Sequence, residues 1–382
     1  MKRNAALDAA RGLSVLAMFV AHAYDGWVLP AQKLGLGYRL TREIAAFAMP
    51  SFVLFAGVGL GLQMLAQRPR GPAIARGARL VLAGYALSLA YAIVDSGLSL
   101  ATVLRADALH AIGASLALVA LLLPPCKKSA RLRARALVLA LLIVLATPWL
   151  TRALRGVVGL PAYALAPLVQ VPGVTRFCAF PLAALCALGV ALASLLPRAT
   201  GARAGITLTG AGAVAVLGFS LLTNQVLGAV GGKLEPAHLA VIPNAFGGAS
   251  RALCLLGLGA LVTLPSRSLL ARALAALGRR SLLAYSLHLP LCYGRLGAPL
   301  HARLELSQAT LGCLLLALTA AGLALLAERT ERSRHRARPG STGRDHGCEH
   351  PHCAIADSAA AVQSPHDNPP LPWHGMKIQP RS

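Results

Sequence analysis

Ten apolar runs, each close to twenty residues long, recur along the chain with short polar gaps between them. They fall at about 7 to 29, 43 to 66, 77 to 95, 107 to 125, 134 to 150, 176 to 197, 204 to 222, 249 to 265, 279 to 297 and 308 to 327. A helix of about 20 residues crosses the roughly 30 Å hydrocarbon layer of a bilayer, so each run reads as a transmembrane span. Inside lipid every backbone N–H and C=O must be satisfied within the segment, which makes helix the form these runs take. The expected fold is therefore all-α: a polytopic integral membrane bundle of about ten transmembrane helices over residues 1–328, then a disordered cytoplasmic tail over residues 329–382. Composition agrees, with 56% hydrophobic and only 13% charged residues and a mean hydropathy of +0.63, outside the range of water-soluble domains.

The formal charge of +24 would suggest nucleic acid in a soluble protein. Here the Arg and Lys residues sit in gaps between apolar runs, without a nucleic-acid motif or aromatic interleaving, and nucleic acid is rejected as a partner. The charges instead report topology, because Lys and Arg near span ends favour the cytoplasm. The even gaps hold Arg68, Arg70, Arg76 and Arg79, then Lys127, Lys128, Arg131, Arg133 and Arg135, then Arg198 and Arg203, then Arg267, Arg272, Arg279 and Arg280. The odd gaps are poorer in basic residues and diluted by Asp95, Asp107, Glu235 and Glu305. Both termini are thus expected in the cytoplasm, with the chain in the inner (plasma) membrane. The basic start and poor cleavage site at Ala21-His22-Ala23 suggest a retained first span.

Six cysteines, Cys126, Cys178, Cys186, Cys254, Cys292 and Cys313, lie in or beside apolar segments and imply no disulfide framework. Two odd gaps, about 151 to 175 and 223 to 248, are long and rich in Gly and Pro, and read either as covers for a site or as ordinary loops. The tail contains Cys348-Glu349-His350-Pro351-His352-Cys353, but such packed ligands differ from the spacing of structural zinc sites, and no metal is expected.

An ionisable group inside a span is costly and marks a functional candidate. Asp8 and Arg11 stand three apart on one face of the first span, as an entrance salt bridge or part of a site. His22 follows Asp8 by about 21 Å of helix, with Asp25 one turn beyond. The fourth run begins with Asp107 and His110 at the same spacing, and the topology puts both His/Asp pairs at one membrane face. They read as oriented bases or as interface anchors. Arg105, Arg176 and Arg251 near the same face offer an anion clamp. His288, ahead of Pro290, reads more readily as a helix-to-helix hydrogen-bond partner than as a site residue.

Motifs occur in order along these spans. Leu7-Asp8-Ala9-Ala10-Arg11-Gly12-Leu13 leads to His22, and Met49-Pro50-Ser51-Phe52-Val53-Leu54-Phe55-Ala56-Gly57 follows. Then come Asp107-Ala108-Leu109-His110-Ala111-Ile112-Gly113, Phe180-Pro181-Leu182 with Gly189, and the run Leu277 to His288 containing Gly278, Ser281, Ala284 and Tyr285. Over about residues 3 to 297 this set resembles the bacterial heparan-alpha-glucosaminide N-acetyltransferase catalytic-domain family, and the related membrane acyltransferase-3 superfamily. The resemblance implies transfer of an acetyl or other acyl group from cytoplasmic acyl-CoA, typically acetyl-CoA, to a small-molecule or glycan acceptor across the membrane. No His stands between His22 and His110, where animal members place a catalytic one after the first span.

The reading that joins these observations is a membrane acyltransferase. In it Arg3, Arg11, Arg79, Arg279 and Arg280 attract CoA phosphates, while His22, supported by Asp25 or by Asp107 and His110, deprotonates the acceptor. The alternative is a proton-coupled transporter of a small solute, although the halves show no internal repeat.

Overall fold

The computed structural model describes residues 4–96, 99–196, 201–229, 236–265 and 268–337. The chain opens with α1 (Ala5–Trp27), α2 (Leu36–Ala45), α3 (Ala48–Leu65), α4 (Gly71–Tyr91), the short α5 (Leu100–Leu104), α6 (Ala108–Leu122) and α7 (Ser129–Ala153). It continues with the short α8 (Leu160–Leu165), α9 (Ala179–Leu192), α10 (Ala202–Ala229), α11 (Pro236–Val262), α12 (Leu269–Arg279), α13 (Ser281–Cys292) and α14 (Leu306–Ala337). Among the described residues there is no strand, only two isolated bridges, Val28 with Leu304 and Ala106 with Thr175. The protein is an all-helical membrane bundle.

Each of the ten apolar runs falls on helix, but the helices are unequal. Among the described residues seven are long and apolar enough to cross a membrane: α1, the bent α2–α3 unit, α4, α7, α10, α11 and α14. α6, α9 and α13 are apolar but shorter; at 1.5 Å per residue the 15 residues of α6 reach about 22 Å. Two boundaries differ from the sequence reading. The gap at 223 to 248 is largely helix, since α10 runs to Ala229 and α11 starts at Pro236; proline is tolerated at a first helical position, where its missing N–H has no intrahelical partner anyway. α14 likewise runs through the polar stretch after Glu328 to Ala337. The Cys348 to Cys353 cluster lies outside the described residues.

Without water to drive apolar faces together, helices in lipid associate by close packing at small residues. α1 crosses α12 where Gly12 lies on the backbone of Leu274 and Gly278 on that of Asp8, and α3 crosses α9 where Gly57 meets Cys186 and Gly189 meets Leu54. A Cβ at any of these glycines would overlap a carbonyl, so the crossings depend on its absence. Leucines such as Leu141, Leu145, Leu314 and Leu318 stay exposed on α7 and α14, as suits a surface solvated by lipid.

Polar contacts pin the ends. Arg279 donates from Nε to Glu328 at 2.6 Å and from a terminal nitrogen to Asp8 at 3.4 Å, tying α12, α14 and the start of α1 together. At the opposite end of α1, Trp27 Nε1 donates to the Leu291 carbonyl at 2.9 Å, and Tyr24 bonds Thr310 at 2.7 Å. α1 is thereby fixed along its length, which fixes Arg11 near one end and His22 near the other.

Candidate active site

The centre of the site is a pair of histidines. His22 on α1 and His288 on α13 meet Nδ1 to Nε2 at 2.6 Å, with rings coplanar to 4° and centroids 4.9 Å apart, so they meet edge to edge. His288 is fully buried, wedged beside Phe19 and Tyr285, and its Nδ1 lies 3.0 Å from the Ala284 carbonyl. A carbonyl only accepts, so His288 carries its hydrogen on Nδ1 and, when neutral, offers a lone pair at Nε2. His22 then donates from Nδ1, which leaves the lone pair of a neutral His22 on Nε2. This one-way network sets the tautomer that a general base requires.

His22 stands where two cavities meet. The first chamber, about 350 Å³, is lined by apolar side chains including Met18, Phe52, Leu80 and Ile112, with Arg11 and Arg76 among its walls. The second, about 380 Å³, is lined by Ser88, Tyr91, Thr102, Arg105, Asp107, His110 and Arg176, among others. Four residues line both: His22, Leu109, Phe177 and Tyr285. The first chamber extends toward the Asp8 end of α1, through Arg11. The second is bordered by the loop ahead of α9, whose Arg176 N–H donates to the Ala106 carbonyl at 2.9 Å while Ala106 N–H donates to Val174 at 3.2 Å. That pairing brings the segments carrying Arg105 and Arg176 together at the second chamber.

Residues 3–223 match the model of the family described as heparan-alpha-glucosaminide N-acetyltransferase, catalytic. The chain belongs to this family. Compared with the curated proteins, it has no match among them. Membership in this N-acetyltransferase family brings a membrane setting and acetyl transfer as the class of reaction. The match ends before α13, so it does not reach His288.

Within this heparan-alpha-glucosaminide N-acetyltransferase-type domain, the candidates read from sequence fare differently. His22, Asp107 and His110 all border the second chamber, but neither His/Asp pair forms the imidazole–carboxylate contact that the spacing suggested. Asp25 is exposed, accepts from the Tyr293 hydroxyl at 2.9 Å and has Lys33 at 3.9 Å; the Tyr293 ring in turn packs edge-on to His22 at 5.5 Å. Asp107 caps α6, accepting from Ala108 N–H at 2.8 Å, and His110 Nδ1 accepts from Asp107 N–H at 3.1 Å. A neutral His110 therefore carries its hydrogen on Nε2, which is buried without a partner, and it lies against Gly84, where a Cβ would approach within 2.7 Å. Three-residue spacing put these groups on one helical face, but at the start of α6 the same spacing closes a capping box.

The arginines divide as well. Arg11 lines the first chamber while donating to the Phe55 carbonyl at 2.9 Å and standing 3.8 Å from Asp8. Arg279 is committed to Asp8 and Glu328, and Arg280 to Glu331 at 2.8 Å. Arg79 is exposed on α4, bonded to its own helix, and Arg3 lies outside the described residues. Arg251 of the expected clamp instead faces Glu43 at 3.5 Å. Sequence reasoning passed over Arg76 as a site residue, and it weighted His288 toward structure. An ionisable residue near mid-span was the signal for His288; nothing in the sequence told which histidine it would meet.

Proposed function

We propose that the protein is an acetyltransferase of the inner (plasma) membrane that uses cytoplasmic acetyl-CoA, with both termini in the cytoplasm and ten helices crossing the bilayer. The acceptor is a hydroxyl or amine of a cell-envelope sugar. One observation carries the reading: His22, with its tautomer set by His288, lies on the wall common to two chambers that extend toward opposite ends of α1.

Acetyl-CoA is the donor substrate of the first chamber. Arg11 and Arg76 attract its phosphates by charge and by planar, bidentate donors. Arg11 and His22 are separated by about 16 Å along α1, which suits the long flexible arm between the phosphates of CoA and its thioester. The apolar walls favour that arm and the acetyl group over water. The acceptor occupies the second chamber, oriented by Arg105, Arg176 and the polar groups around them.

His22 Nε2 takes the proton from the acceptor O–H or N–H as that atom attacks the thioester carbonyl. The new C–O or C–N bond forms, the C–S bond breaks, and the proton held on His22 goes to the departing thiolate, giving free CoA. His288 accepts the His22 Nδ1 hydrogen throughout and steadies the imidazolium. Family membership favours this chemistry over proton-coupled solute transport.

The test is acetyl transfer from radiolabelled acetyl-CoA to a cell-envelope fraction, measured in membranes at matched expression. His22→Asn should lower turnover by about 10²- to 10⁴-fold, the usual loss on removing a positioned base. Near-normal turnover in that variant would remove His22 from the mechanism, and absence of transfer by the native protein would remove the activity itself.

A further inference from the structure

Acyl transfer from a thioester builds negative charge on the carbonyl oxygen, and enzymes meet that charge with preorganised hydrogen-bond donors. In many folds the donors are backbone N–H groups of loops. That source is scarce here, because backbone N–H groups within membrane helices are consumed by the helices themselves. The donor at the reacting carbonyl must then be a side chain on the wall between the chambers.

Four residues form that common wall, and elimination among them leaves one. Leu109 and Phe177 have no donor, and the Nδ1 hydrogen of His22 is spent on His288. The fourth is Tyr285, a buried residue on α13 one turn before His288, with ring centroids 5.6 Å apart. Its hydroxyl makes no hydrogen bond among the described residues. The other tyrosines lining the second chamber are committed, Tyr91 to the Tyr293 carbonyl at 3.0 Å and Tyr293 to Asp25. A phenol, with an ordinary pKa of about 10, keeps its proton at neutral pH and donates without transferring it.

We infer that Tyr285 is a further catalytic residue, whose hydroxyl donates a hydrogen bond to the thioester carbonyl oxygen of the acyl donor and stabilises the oxyanion formed when the acceptor attacks. This rests on the acetyl-transfer reading above and adds the electrostatic partner to its base. No bond to Tyr285 forms or breaks; the proton exchanged in the reaction passes only between acceptor, His22 and thiolate. α13 thereby supplies both the residue that orients the base and the residue that faces the oxyanion, three positions apart on one helical face.

The experiment measures release of free CoA thiol by the full-length protein in lipid nanodiscs, with glucosamine as acceptor and with water alone. Two donors are compared, acetyl-CoA and its dithioester analogue, in which the carbonyl oxygen is replaced by sulfur, a poor hydrogen-bond acceptor. Tyr285→Phe removes only the hydroxyl and should lower kcat with acetyl-CoA by about 10²- to 10³-fold, with KM for the donor changed little. The native protein should discriminate strongly against the dithioester, and Tyr285→Phe should lose most of that discrimination. The ratio of the two donors does not depend on how much protein is folded, so it separates an oxyanion contact from a packing defect. Full discrimination retained by Tyr285→Phe, or kcat within a few-fold of native, overturns the role of Tyr285 while leaving acetyl transfer in place. No thiol release by the native protein under either condition overturns both.

Discussion

Replacing His288 separates an oriented base from a pair of packed rings. The Nδ1 hydrogen of His22 is held by His288 Nε2 at 2.6 Å, and the fully buried His288 is itself anchored to Ala284. His288→Leu keeps an apolar side chain of similar bulk but leaves His22 Nδ1–H without an acceptor. A buried donor left unpaired costs about 1–3 kcal/mol, and His22 can escape that cost by moving its hydrogen to Nε2 or turning its ring. Either change removes the lone pair from the reacting position. If the full cost appears in the barrier, turnover falls by about 5- to 150-fold. His288→Gln places an amide oxygen close to where Nε2 stood, so it can accept the same hydrogen and should stay within about tenfold of native. The assay is single-turnover acetyl transfer from acetyl-CoA in nanodiscs, with donor affinity measured separately. Leu and Gln variants impaired equally, or a Leu variant at native rate, would refute the argument that the hydrogen bond sets the base.

The arginines should split into two classes. Arg11→Ala and Arg76→Ala are expected to weaken acetyl-CoA binding by about tenfold each, Arg76→Ala with little loss of thermal stability, whereas Arg279→Ala should cost about 1–3 kcal/mol of stability by removing the cation that Asp8 and Glu328 share. Binding titrations and thermal unfolding of the same preparations check this, and donor affinity unchanged in both chamber variants would rule out that route for the phosphates. For topology, reporters fused after Lys127 and after Gly156, on either side of α7, should report opposite faces, Lys127 cytoplasmic. Reporters on the same face would mean that α7 does not cross.

The sequence alone determined the solvent and the class of fold. Runs of twenty apolar residues admit helix in lipid and little else, and the ordered motifs from Leu7 to His288 carried the resemblance to the family, whose model matches residues 3–223. It also singled out His22, Asp107 and His110, because burying an ionisable group in a span is costly enough to need a reason, and all three line the second chamber. Tertiary structure decided how they are used. Spacing of three residues along a helix brings two side chains to one face but does not tell whether they bond each other, the backbone or another helix. Asp25 turned to Tyr293 and Lys33, Asp107 and His110 closed the cap of α6, and Arg279 paired with carboxylates on α1 and α14. The partner of His22 lies 266 residues away, and it is brought there by glycine-mediated crossings and end contacts that no local pattern encodes. A sequence fixes the periodicity of each helix from its own residues, whereas the rotation and depth at which two helices meet depend on the packing of both, and the site exists only at that meeting.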